Sequence, residues 1–223
     1  MIAAWTCPGP AGPVTEYALA FDRTRKHRLL IIPALFEEAN RTRRMLVEAM
    51  RRIDAAGIDC FLPDLPGCNE SLQDFSAQSL DTWRAAMRAA AEEFGATHLF
   101  AVRGGALLAP KSLPGFEYDP AKGSSILRQL LRARVIASRE AGREEDTTGL
   151  METGKQSGIE LAGYRCGAAL VAGLEAAVPE ERGRRKISQG ELEGAGLWLR
   201  SEPGDNPAQS RDIAAIVAAE IAA

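Results

Sequence analysis

Few residues in this chain can do acid–base or nucleophilic chemistry. Of 223 residues only two are histidines, His27 and His98, and the cysteines Cys7, Cys60, Cys68 and Cys166 are scattered. The best-placed reactive turn is Ala101-Val102-Arg103-Gly104-Gly105, where an apolar run passes into a helical one. A strand-to-helix elbow of the form G-x-S-x-G exposes a nucleophilic serine. Here Ala101 and Gly105 suit the tight turn and Gly104 permits close backbone approach, but the nucleophile position holds Arg103. A guanidinium stays protonated and cannot attack a carbonyl. It can hold a carboxylate or phosphate in a bidentate grip, helped by backbone N–H groups at the helix start. It can equally pair with an internal carboxylate and plug the pocket.

Two other loops should reach the same crevice. The segment Pro33 to Met45 carries Glu37, Glu38 and Asn40 at the end of a buried strand. A charge there needs a partner, which makes Glu37 or Glu38 the expected partner of Arg103 or Arg43, with Glu37 preferred for the crevice. Glu38 is assigned to the helix dipole. In Pro63-Asp64-Leu65-Pro66-Gly67-Cys68-Asn69-Glu70-Ser71, Asp64 and Asn69 are expected on the rim, with Asp64 fixing the loop. Cys68 or Ser71 is the nucleophile of the alternative reading, an esterase or thioesterase with unconventional residues. Cys68 would need an adjacent base, and no histidine is near it in sequence. His27 and His98 open strands, at the end opposite the crevice. The absence of CxxC pairs argues against zinc or redox motifs, and neither a metal nor a cofactor is expected. Gly149 to Lys155 matches G-x-x-x-x-G-K, but Gln156 stands where a Ser or Thr should bind magnesium, so the match is coincidental.

The elements that must position these residues follow from apolar periodicity. Strands are expected at 14–21, 27–35, 58–62, 97–102 and 159–164, and a last one at Leu197. Helices are expected at 41–56 with Asn40 as its cap, at 80–94 capped by Ser79, at 124–140, at 166–177 and from Arg211 onward. The opening to Pro13, the stretch 110–123 and the charged connector 179–190 read as loops, and 140–158 as polar and mobile. Strands alternating with helices predict βαβ units and a mostly parallel sheet. Residues 1–223 read as one domain.

A net charge of −3 argues against a nucleic-acid binder, and the basic clusters Arg23 to Arg28 and Arg182 to Lys186 read as solvated turns. The strongest apolar run, Leu29 to Phe36, is far short of the about 20 residues a membrane span needs. With no leader-like start and scattered thiols, a cytoplasmic location is expected. The arginine-rich helix Ser124 to Glu140 is a third candidate site, for docking a protein partner, and a homodimer is left open.

Taken in order, these motifs resemble the α/β-hydrolase superfamily. Ile31 to Met45 (IIPALFEEANRTRRM), the Ala101 to Pro110 elbow and Ile159 to Tyr164 (IELAGY) are similar to segments of the exosortase A system-associated hydrolase-like proteins, second type. The resemblance runs from about Leu29 to Leu174. It implies a compact three-layer α/β sandwich with a reduced helical cap, assigned to 111–158, and a setting in bacterial exopolysaccharide loci. No triad position is filled, so the expected protein is degenerate and has no catalytic residues. It binds a small carboxylate- or phosphate-bearing ligand around Arg103, Gly104, Glu37, Asn40, Asp64 and Asn69.

Overall fold

The computed structural model describes residues 1–222. Its strands are β1 (Ile2–Gly9), β2 (Gly12–Phe21), β3 (Arg28–Ile32), β4 (Asp59–Pro63), β5 (His98–Val102), β6 (Gly115–Tyr118), β7 (Ile159–Leu161), β8 (Tyr164–Cys166) and β9 (Arg185–Ile187). The helices are α1 (Glu37–Ala55), α2 (Leu80–Glu93), α3 (Gly123–Glu140), α4 (Thr147–Ser157), α5 (Ala168–Ala176) and α6 (Pro207–Ala222). Seven strands form one sheet in the order β1-β2-β4-β3-β5-β6-β9. The β1–β2 hairpin and the β2–β4 pairing are antiparallel, and every later pairing is parallel.

Period-2 side-chain alternation builds the three layers. In β3, Leu30 and Ile32 face one core, with α2, α3 and α5, while Leu29 and Ile31 face the other, with α1 and α6. The same split recurs in β5, where Leu99 and Ala101 oppose Phe100 and Val102. Both faces are covered, as a parallel sheet requires. The expected three-layer α/β architecture is present.

Several local expectations need correction. The opening to Pro13 is β1 and the start of β2, and Pro8 sits opposite Pro13 near the hairpin turn, where missing N–H groups cost least. The stretch read as a loop at 110–123 contains β6, and the charged connector contains β9. Both are too short to show periodicity. Their charge is neutralised internally: Arg184 Nη1 lies 3.0 Å from Glu117, and both side chains are almost fully buried. The other basic cluster is not merely solvated either, because Arg25 and Arg28 pair with Asp59, which is buried. The polar stretch after Glu140 holds α4, whose N-cap Asp146 accepts from the N–H groups of Thr148 and Gly149. The G-x-x-x-x-G-K match lies inside this helix and forms no phosphate loop. Leu197–Leu199 is a 3-10 turn instead of a strand. Residues 111–158 therefore divide between sheet and helices, with β6 in the central sheet and α3 and α4 beyond it.

Candidate functional site

The elbow is built as the sequence suggests. Arg103 follows β5 directly with φ 52°, and its chain continues as a 3-10 turn, Arg103–Leu108. Gly105 is required there, since a Cβ would lie 2.5 Å from the Pro33 carbonyl oxygen. At Gly104 a Cβ would meet Ile126 at 2.6 Å and Leu35 at 2.9 Å, so the space above this backbone is filled by side chains.

The Arg103 guanidinium is almost fully engaged. Nε and Nη2 donate to the two carboxylate oxygens of Glu38 at 3.1 and 3.3 Å. Nη1 donates to the Asp119 backbone oxygen at 2.9 Å and to its carboxylate at 3.0 Å. The plane lies over the Trp198 ring, 4.4 Å from its centroid. Four of five N–H donors are committed, and the cation–π contact covers one face. Glu38, itself buried, is thus the partner of Arg103, and the assignment to Glu37 is corrected. The cause is the start of α1. The helix begins at Glu37, not Arg41, and Phe36 precedes it at φ 56° without a side-chain cap. Asn40 is therefore inside the first turn and caps nothing. Glu37 points outward and binds Arg41 at 2.7 Å, and Arg41 also donates to the Trp198 backbone oxygen.

Beside this sealed elbow, at the C-terminal ends of β3 and β4, lies a cavity of about 330 Å³. Asn40 and Asn69 line it. Asp64 is buried beneath, accepting from Asn69 Nδ2 at 2.7 Å and from Arg43 Nη1 at 3.0 Å. Arg103, Gly104 and Glu37 do not line it. Three of the six expected residues are therefore gathered at this cavity, and the other three belong to the elbow and its flank. The sequence reading missed the aromatic wall of Phe36, Phe75, Trp83 and Tyr164, and it missed Arg165. One signal was available: Phe75 is an aromatic residue in an otherwise polar connector. Asp119 and Trp198 were also missed, although Tyr118-Asp119-Pro120 is an abrupt break after an aromatic residue.

No nucleophile in this region has a histidine beside it. Burial, with the charges of Asp64 and Glu16, pushes the Cys68 thiol up to about 12, so it stays protonated. Ser71 Oγ donates to Glu16 at 2.7 Å and accepts from the Gly67 N–H at 2.8 Å. His27 and His98 lie side by side with tilted rings, centroids 6.0 Å apart, at the opposite end of the sheet. Burial and the neighbouring His27 hold the His98 ring below the usual imidazole range. Among the described residues no cluster of His, Cys, Asp and Glu could hold a metal ion, and no helix is long and apolar enough to cross a membrane.

No protein-family model matches the chain, and no curated protein matches it by sequence. Similarity is found among solved structures. Est1E from Butyrivibrio proteoclasticus, described with bound ferulic acid, is 14% identical with TM-score 0.53, over 78% of this chain and 74% of that one. A protein of Agrobacterium vitis S4 named as a hydrolase is 16% identical with TM-score 0.48, over 62% of this chain. The aligned region spans 60% of that protein's length. The bottromycin epimerase BotH, described with bottromycin A2, is 15% identical with TM-score 0.49, over 98% of both chains. The structural neighbours include members of the α/β-hydrolase superfamily, among them esterases and epoxide hydrolases, at low identity. The likeness is one of fold.

Proposed function

We propose that this chain is a catalytically degenerate α/β-hydrolase-fold protein that binds a small anionic ligand and does not hydrolyse it. The observation that carries the reading is the contrast around β5: Arg103 is spent on Glu38 and Asp119, while the adjacent cavity is open and carries a cation without an ion pair, Arg165. The anion site read from the sequence at the elbow is accordingly moved to this cavity. Asn40 and Asn69 form its polar rim, and Asp64 and Arg43 hold Asn69 in place. A hydrolytic triad acts as a unit, and an elbow without nucleophile or histidine base leaves little of it. The exopolysaccharide setting rests on the sequence resemblance alone.

Two measurements test this reading. Turnover of p-nitrophenyl butyrate and a short acyl thioester is expected to equal the buffer rate for wild type, Cys68→Ala and Ser71→Ala. Turnover that disappears in either variant overturns it in favour of an esterase. Thermal shift with a panel of small carboxylates and phosphates is expected to give hits that vanish in Asn40→Trp, which fills the cavity from an exposed helix position.

A further inference from the structure

We propose that the cavity takes a flat, single-ring aryl carboxylate, with the ring against the Phe36, Phe75 and Tyr164 cluster and the carboxylate on Arg165. This rests on the binding reading above and narrows it to one ligand class.

The walls are unusually aromatic. Phe36 meets Phe75, Trp83 and Tyr164 at centroid separations of 6.2, 6.2 and 5.3 Å, all edge-on, and Phe75 lies 5.4 Å from Tyr164. These rings pack on one another as one cluster, and a ligand ring laid against its open side meets ring faces and ring edges together. Both arrangements suit the aromatic quadrupole. A flexible alkyl chain gains neither and loses rotational freedom on entry.

Polarity runs from the inner end to the mouth. Trp83, Leu65 and Phe36 are buried, and the Trp83 indole is already satisfied by the Pro66 carbonyl. At the rim Asn40 and Arg165 are exposed, and neither side chain has a hydrogen-bond partner among the described residues. Glu160 stands opposite Arg165 across the β7–β8 hairpin, and Asp74 lies within range of its charge, yet neither closes an ion pair with it. The lining contains no Asp or Glu, and its one charged side chain is Arg165, the point at which an anion would be held. The volume is at the small end of ligand pockets, enough for one ring and a short arm. The Tyr164 hydroxyl, also unpartnered, is a spare donor for a ring substituent.

Calorimetric titration of the full chain with cinnamate, octanoate and cinnamamide tests the proposal. Cinnamate is expected to bind about tenfold tighter than octanoate. It should weaken by about tenfold or more in Arg165→Ala, while cinnamamide binds weakly to both. Phe75→Leu should remove the preference for the ring. Octanoate binding as tightly as cinnamate, with the same Arg165 dependence, overturns the ring and leaves the anion reading standing. Cinnamamide binding as tightly as cinnamate overturns the carboxylate anchor. Cinnamate affinity unchanged in both variants overturns the location. If none of the three binds, the aryl-carboxylate assignment fails, and hits elsewhere in the thermal-shift panel decide whether the broader reading survives. If Phe75→Leu fails to fold, Arg165→Ala, a surface change, still decides the outcome.

Discussion

The elbow and the cavity beside it are built from neighbouring segments yet have opposite electrostatic states. At the elbow one arginine meets two carboxylates and an indole face, and side chains fill the space over Gly104. In the cavity one arginine meets no carboxylate within ion-pair reach, and four aromatic rings surround open volume. A buried cation with a full set of partners is part of the fold. A cation at the mouth of an aromatic-walled cavity, without an ion-pair partner, is available to a ligand. Arg103 is a structural tie between β5, α1 and the Asp119 turn after β6.

The largest effect should come from breaking that tie. Arg103→Met leaves the buried Glu38 carboxylate without its partner, and a loss of about 3–5 kcal/mol is expected in denaturant unfolding. A cost below about 1 kcal/mol would mean that the elbow is not a lock. Placing a serine there is a sharper probe of the proposed lack of hydrolysis: Arg103→Ser should show no ester turnover, because no histidine is within reach.

Alkali is the next lever, and it addresses how dry the cavity side is. Burial pushes Cys7, Cys68 and Cys166 up to about 12, against an ordinary value of 9.0. The unfolded chain releases these protons from about pH 9 while the native chain keeps them, so the native state binds more protons and stability falls as pH rises. Stability should therefore be intact below pH 9 and decline from there towards 12. Chemical denaturation at pH 7.5 and pH 10 checks this, and unchanged midpoints would show the thiols to be wet.

Arg165→Ala should move stability by no more than about 0.5 kcal/mol while removing ligand affinity, the reverse of Arg103→Met. The smallest effect separates two adjacent glutamates. Glu37→Gln loses only a half-exposed i,i+4 pair with Arg41, worth about 0.3–0.5 kcal/mol. Glu38→Gln should cost several times more, and equal costs would contradict the assignment of the Arg103 partner.

The central strands and helices were legible because their side chains obey a period. Leu29 to Ile32, the Met45 to Ile53 face and the Ser79 cap each carry a local signal that survives folding. β6 and β9 carry none: they are short, and the charges of Glu117 and Lys186 mimic a loop until Arg184 is seen buried against Glu117. The elbow was legible as a tight strand-to-helix turn carrying Arg103, but the partner of Arg103 was not. A helix that starts four residues early turns each residue through about 100° per step, so Glu38 faces inward where Glu37 was expected. The aromatic wall was illegible for a different reason. Phe36, Phe75, Trp83 and Tyr164 come from four separate segments and meet only through the topology.

Calorimetric titration of cinnamate into wild type and folded Arg103→Met tests most directly whether the ligand site has left the elbow. The account predicts equal affinity in the two proteins, despite the lower unfolding midpoint of the variant. Affinity lost in Arg103→Met but kept in Arg165→Ala would contradict it and return the anion to the elbow.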